Sequence, residues 1–254
     1  MILLHRITSF VIALLIAVGF WALIFFSENA FSAVIILTLV ASFLYARLLK
    51  WDVKRFSFWV FFGTPLFFIL SSLFFYLFLE NDLAKFFLGV VVTLGAWLYA
   101  ENLFSFYHLP STYQPYALEY LSLVLYVLSA FFFTSALYAA QLFLLLPVWV
   151  PALAIFWTVL FATIGVFWVS KVAPETSALF ATMGAILLTE LYVVTAMLPT
   201  SFVANAAIFS IFLYSYLGLS RAHVLDKLTK PVLQRYLMVA TCLLVAIFAT
   251  ARWV

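Results

Sequence analysis

Long apolar stretches, separated by short polar breaks, run through the whole chain. A helix needs about 20 predominantly apolar residues to cross roughly 30 Å of hydrocarbon, because it rises about 1.5 Å per residue and must satisfy its own backbone hydrogen bonds. The polar breaks fall at 27–29, 47–55, 80–82, 101–116, 171–176, 199–201 and 221–235. They predict seven membrane spans, near residues 7–26, 30–49, 57–79, 84–100, 177–198, 202–220 and 232–251.

The stretch from about 117 to 169 has no such break and is too long for a single span. It fits two antiparallel helices joined by a tight turn between Gln141 and Pro151. Gln141 is the strongly polar side chain there, and Pro147 and Pro151 lack the amide hydrogen that a continuing helix uses. The prediction is therefore nine spans. Eight spans, with one tilted helix and a re-entrant piece in this stretch, are the alternative.

The composition identifies lipid as the solvent of this chain. Of its 254 residues, 69% are hydrophobic and 8% are charged, whereas about 25% are charged in an ordinary soluble domain. A water-soluble fold could not hide so much apolar surface. The predicted fold is an all-α, polytopic transmembrane helical bundle, with residues 1–254 forming a single integral membrane domain. The net charge of +3, scattered among apolar segments, excludes nucleic-acid binding, which needs a clustered basic face.

The basic residues predict the orientation, since Lys and Arg concentrate in short cytoplasmic loops. With nine spans and the N-terminus inside, most basic residues are cytoplasmic: Arg6, Arg47, Lys50, Lys54, Arg55, Lys171, Arg221, Lys227, Lys230 and Arg235. Lys85 and Arg252 fall outside. We therefore expect a cytoplasmic N-terminus and an outward-facing C-terminus. A cleaved signal peptide is the alternative for the first span, although the run is longer than a signal-peptide core.

Glu190 is the first candidate for a functional site, because it lies well inside the seventh predicted span. A charged, unpaired carboxylate in hydrocarbon costs several kcal/mol, so we expect Glu190 to face the bundle interior, to pair or to hold a proton. Asn205 and Gln141 are the expected hydrogen-bond partners. The alternative is a structural glutamate that ties the seventh span to a neighbour.

The second candidate is the aromatic segment from Glu101 to Tyr116, predicted to be a cytoplasmic loop, together with Glu119. Glu101, His108 and Glu119 could supply two carboxylates and an imidazole to a metal ion or to acid–base chemistry. The pattern lacks the two histidines at i and i+4 of a helical zinc site, and no metal site is predicted. An interfacial loop with its aromatic rings among lipid headgroups is the favoured interpretation.

Two basic loops are explained by membrane topology and could also hold anionic lipid headgroups. Their basic residues are Arg47, Lys50, Lys54, Arg55, Arg221, Lys227, Lys230 and Arg235. No cofactor is predicted, because the seven glycines are dispersed singly and form no phosphate loop.

Three function classes remain open for a multi-pass protein of the cell membrane. A carrier or channel for a small or lipidic solute would use Glu190 as a proton or substrate contact, and Glu190 slightly favours this class. A non-catalytic accessory or scaffold subunit would instead pack against membrane-protein partners. An intramembrane enzyme acting on lipid-type substrates is least favoured, because few charged groups converge.

The predicted orientation can be tested with reporters fused to the C-terminus. We expect alkaline phosphatase, which folds only outside the cytoplasm, to be active there and a fluorescent protein that folds only inside to be dark. The reverse result would contradict the nine-span prediction, since an even number of spans returns the C-terminus to the cytoplasm.

Overall fold

A computed structural model describes residues 2–25, 30–111, 113–114 and 116–251, with backbone alone at 2–5, 30 and 31. Over these residues the chain forms nine α-helices and no strands. The helices are α1 Ile2–Phe25, α2 Ala30–Leu48, α3 Phe56–Tyr76, α4 Asp82–His108, α5 Ala117–Leu144, α6 Trp149–Val169, α7 Pro174–Ala196, α8 Phe202–Val224 and α9 Lys230–Thr250. The predicted break at 27–29 and Arg252 lie outside the described residues.

Eight of the nine helices in the described part of the chain are long and apolar enough to cross a membrane. The shorter one, α2, has 19 residues and is therefore about 28 Å long, close to the thickness of the hydrocarbon core. The prediction of an all-α membrane bundle is thereby confirmed. Its orientation in the membrane stays a prediction.

The long apolar stretch divides into two helices, as predicted. The α5 helix ends at Leu144 and α6 begins at Trp149, inside the expected interval. Leu145 has a φ of 52°, the left-handed conformation that commonly follows the last residue of a helix. Pro147 in the turn cannot donate a backbone hydrogen bond to prolong α5.

The predicted loop from Glu101 to Tyr116 is wrong in its first half, because α4 continues to His108. Polar side chains there remain compatible with a helix: Asn102 Nδ2 donates to the carbonyl of Leu98 at 2.8 Å. The helix ends at His108, because the next residue, Leu109, has a φ of −136° and precedes Pro110, whose ring disfavours helical backbone in the residue before it. The polar residues at 101–105 thus do not end the helix.

The chain divides into two compact units, Met1–Leu125 and Tyr126–Val254, with the boundary inside α5. In the first unit, α1 packs antiparallel along α4, and α2 contacts α1, α3 and α4. The Tyr45 hydroxyl of α2 donates to the Ala96 carbonyl of α4 at 2.9 Å, and its side chain is fully buried. A hydroxyl with a partner on the next helix can be buried without a desolvation penalty.

In the second unit, α6 packs on α7, α7 on α8, and α8 on α9. Glycines let tyrosine rings approach the backbone of a neighbouring helix. A methyl group at Gly184 would overlap the ring of Tyr216, and one at Gly218 would overlap the ring of Tyr236. The Tyr216 hydroxyl also donates to the Phe180 carbonyl, which fixes the ring on α7. No residue of α9 is buried.

We expect Gly184→Ala to destabilise the second unit by about 1–3 kcal/mol, because the added methyl group displaces a hydrogen-bonded ring. Thermal unfolding of the purified protein in detergent would measure the loss. Gly19→Ala is the control. The atoms nearest to its added methyl group belong to the end of the flexible Leu37 side chain, so this variant should lower the stability less. If Gly184→Ala costs as much in a Tyr216→Ala background, ring overlap is not the cause.

Candidate functional site

Glu190 lies on the exposed face of α7. Ile186 and Leu187, one turn before it, and Val194, one turn after it, are exposed on the same side, at 49%, 55% and 60%. Within the described part of the chain, no hydrogen bond or ion pair joins the Glu190 carboxylate to another group. The expectation that Glu190 faces the bundle interior is therefore wrong.

The packing face of α7 explains this position. Its buried residues include Gly184, Leu188, Tyr192 and Thr195. Glu190 is two residues from both Leu188 and Tyr192, which at about 100° per residue places it on the opposite side of the helix. Of the small residues on this helix, Ala185 also lies on the buried side, whereas Thr182 is exposed.

Gln141 and Asn205, the expected partners of Glu190, bind other residues. Gln141 Oε1 accepts a hydrogen bond from the Tyr192 hydroxyl at 2.7 Å. The Asn205 side chain is buried and pairs with the Thr200 hydroxyl beside the start of α8. Neither side-chain amide therefore donates a hydrogen bond to the Glu190 carboxylate.

The contact of Gln141 belongs to a buried polar cluster between α5 and α7. The Tyr138 and Tyr192 rings stack with centroids 4.4 Å apart. The Tyr138 hydroxyl donates to the Tyr192 carbonyl at 3.0 Å and lies 2.5 Å from the Thr195 hydroxyl. Sequence reasoning missed these three residues. The available signal was a tyrosine followed three residues later by a polar side chain on both helices, Tyr138–Gln141 and Tyr192–Thr195.

Glu101 joins α4 to α1 in the first unit. Its Oε2 accepts a hydrogen bond from the Ser9 hydroxyl at 2.7 Å, and its Oε1 lies 3.8 Å from Nε of Arg6. Lys50 Nζ lies 3.4 Å from the carbonyl of Tyr107. Arg6, Lys50 and Glu101 thus lie at one end of this unit, as the alternating topology requires.

His108 and Glu119 are the other two members of this predicted group. His108 is the last residue of α4, and its ring stacks on Phe104 with centroids 5.3 Å apart. Glu119 is half-buried in the first turn of α5. Among the residues with described positions, no group of three His, Cys, Asp or Glu side chains could hold a metal ion. Glu101, His108 and Glu119 therefore do not form a three-residue metal site.

The basic loops retain positive charge at their surfaces. Arg55 forms an ion pair with Asp52 at 2.9 Å, and Arg235 lies over the Tyr236 ring. Lys54, Lys227 and Lys230 are exposed. Binding of lipid phosphates by these loops stays a prediction.

The helices and their apolar surfaces define a polytopic α-helical membrane protein. No protein-family model, curated protein or solved structure matches the chain. Evidence about its function therefore comes from its own residues.

We expect Tyr192→Phe and Gln141→Leu to destabilise the protein non-additively, because both remove the same hydrogen bond. A coupling of about 0.6–1.7 kcal/mol, the range for such bonds in membrane bundles, should appear in a double-mutant cycle of thermal unfolding. Thr158→Val is the control: its hydroxyl bonds only to the Ala154 carbonyl of its own helix. Additive effects of the two variants would show that the hydrogen bond contributes nothing.

Proposed function

We propose that this chain is a non-catalytic subunit of a membrane-protein complex and that it binds its partner through the exposed face of α7. The observation behind the proposal is the position of Glu190, a carboxylate surrounded by exposed apolar side chains on a membrane-spanning helix. The exposed face is defined by Leu179, Met183, Ile186, Leu187, Glu190, Val194 and Met197.

A lipid environment is unfavourable for this carboxylate. Glu190 lies six residues before Ala196, the end of α7, or about 9 Å along the axis. The glutamate side chain is too short to cover that distance, and Met197 and Leu198 extend the apolar segment. A charge inside a membrane helix costs about 2.5–3.5 kcal/mol on insertion scales. A partner that supplies a hydrogen-bond donor or a positive charge removes this cost.

The chemistry of the face favours a different protein over a second copy of this chain. A two-fold dimer through the same surface would bring two carboxylates together, and like charges at close range oppose each other's ionisation. A helix with a Lys, Arg, Asn or Gln side chain at the matching depth satisfies Glu190 directly. The proposed partner is therefore a membrane protein with a basic or amide side chain in a spanning helix.

The other two function classes have weaker support. Transport depended on Glu190 facing a path inside the bundle, and its exposed position removes that argument. Enzyme chemistry depended on Glu101, His108 and Glu119 converging, and among the described residues they form no group of three that could hold a metal ion. The proposal keeps the cell membrane as the location and anionic lipids as ligands of the basic loops.

A photoreactive amino acid placed at Leu187 tests the proposal in native membranes. Leu187 is 55% exposed beside Glu190, and Leu153 on α6, at 54%, is a matched control. We expect illumination to give a protein adduct of defined mass from position 187 and only lipid adducts from position 153. Glu190→Leu should lower the protein adduct about ten-fold, the loss expected when a charge-assisted hydrogen bond is removed.

Two further variants make the result specific to the carboxylate. Glu190→Gln keeps a polar side chain and should retain part of the adduct. Glu175→Gln changes an exposed glutamate in the first turn of the same helix and should have no effect. Lipid adducts alone from position 187, or a protein adduct that Glu190→Leu leaves unchanged, would reject the proposed interface.

A further inference from the structure

An apolar groove runs along the surface of the first unit between α1 and α4. One section has a volume of about 400 Å³, and its lining includes Val18, Trp21, Gly89 and Val90. A second section of about 470 Å³ is lined by residues from Phe10 to Ala17 together with Thr93. Both sections share Ala17 and Thr93. The two sections therefore adjoin at these residues, and together they are called the α1–α4 groove.

The groove lies beside a close approach of α1 and α4. At Gly89 an added methyl group would meet the Phe20 side chain at 3.0 Å, so glycine lets the two helices approach closely, and Ala17, which lines the same section, is exposed on α1. Trp21 and Phe86, 58% and 52% exposed, line the same section. Because Ala17 is small and its neighbours Trp21 and Phe86 are large, the surface between α1 and α4 keeps a groove that these side chains do not fill.

The dimensions of the groove suit one hydrocarbon chain. From Phe10 to Ile24 it follows α1 for about 21 Å. One leaflet of the hydrocarbon core is about 15 Å thick, half of roughly 30 Å. Its lining side chains are apolar except for Lys85 and Thr93. An acyl chain in the groove would therefore contact protein along its whole length.

A cation lies at one end of this groove. Lys85, in the first turn of α4, contributes to the lining, and its side chain is only 21% exposed. Its Nζ lies 3.2 Å from Oδ1 of Asp82 and 5.6 Å from the centre of the Tyr76 ring. The Asp82 side chain is 76% exposed, and an ion pair so open to solvent contributes little. Because an ammonium has three N–H donors, a phosphate can share or replace this contact.

The preference of lysine and arginine for cytoplasmic loops does not explain the position of Lys85. It is one of two basic residues that the predicted orientation places outside, against the general preference for cytoplasmic lysine. Lipid tails are as apolar as the groove, so tail contacts alone would not select one lipid from another. Any selectivity must come from the charged end of the groove.

We propose that the α1–α4 groove binds one acyl chain of an anionic glycerophospholipid, whose phosphate Lys85 binds at the end of the groove. Lys85 selects the headgroup, and the small exposed residue Ala17 makes room for the chain. Asp82 competes with the phosphate for the ammonium. This site involves neither α7 nor Glu190 and is independent of the proposed subunit function.

The test uses the full-length protein in phosphatidylcholine vesicles that contain a small share of photoreactive lipid. The lipid carries a diazirine in one acyl chain and either a phosphatidylglycerol or a phosphatidylcholine headgroup. Mass spectrometry then measures lipid adducts on peptides that contain Trp21 or Val90. We expect the phosphatidylglycerol probe to label these peptides about ten-fold more strongly, the effect of one favourable charged contact.

The variants separate headgroup recognition from chain binding. Lys85→Gln should abolish the preference for phosphatidylglycerol, Lys85→Arg should keep it, and Asp82→Asn should increase it. Ala17→Phe fills the groove and should lower labelling by both probes about ten-fold. Ala246→Phe on α9 and Lys54→Gln in the basic loop change exposed residues outside the groove and should leave the labelling of the groove unaltered.

Two outcomes would overturn the proposal. Equal labelling by both probes in the unchanged protein, or a preference that survives Lys85→Gln, would mean that no phosphate is recognised. Labelling that Ala17→Phe does not reduce would mean that these helices contact only ordinary bilayer lipid. Circular dichroism checks that each variant is folded, and the opposite changes expected for Lys85→Gln and Asp82→Asn cannot both arise from unfolding.

Discussion

The structure depends on one constraint: in hydrocarbon, every backbone amide and carbonyl must find its hydrogen bond within the protein. Helices of 19 to 28 residues meet that requirement in this chain. Pro65 lies inside α3, where its ring removes one amide donor. Hydroxyl groups also use the helix backbone, as Thr64 and Ser210 do by donating to carbonyls four residues earlier. Few polar groups then remain to connect one helix with the next.

Tyrosine provides several of the connections between helices. Tyr45, Tyr138 and Tyr216 each donate a hydrogen bond to a backbone carbonyl on another helix, at Ala96, Tyr192 and Phe180. Glycine makes room for such rings, most clearly where Tyr216 packs over α7. In lipid the helices gain little from apolar burial alone, so close packing and these hydrogen bonds have a large share in stabilising the bundle. Replacing a buried tyrosine therefore affects both contributions.

Glu190 and Lys85, unlike these tyrosines, place a charge on an apolar surface of the protein. Glu190 is exposed among apolar side chains of α7, and Lys85 lies at the end of an apolar groove beside α4. A charge on an apolar surface is stable only when a group of complementary chemistry covers it. The two residues call for different groups, a donor on a neighbouring helix for Glu190 and a lipid phosphate for Lys85. Both proposals thus follow from charge at the boundary with the membrane.

The sequence by itself determined the number of helices and, apart from the end of α4, their approximate positions, because the length needed to cross hydrocarbon and the exclusion of polar residues act locally along the chain. It also identified Glu190 as an exceptional residue. It could not determine on which side of α7 Glu190 lies. Apolar residues occur on all sides of this helix, so its sequence shows no amphipathic periodicity. Only the tertiary structure decided that the packing side of α7 contains Leu188 and Tyr192. The reason is that helix packing depends on small residues and hydrogen-bond partners contributed by distant segments, such as Tyr138 and Gln141 of α5.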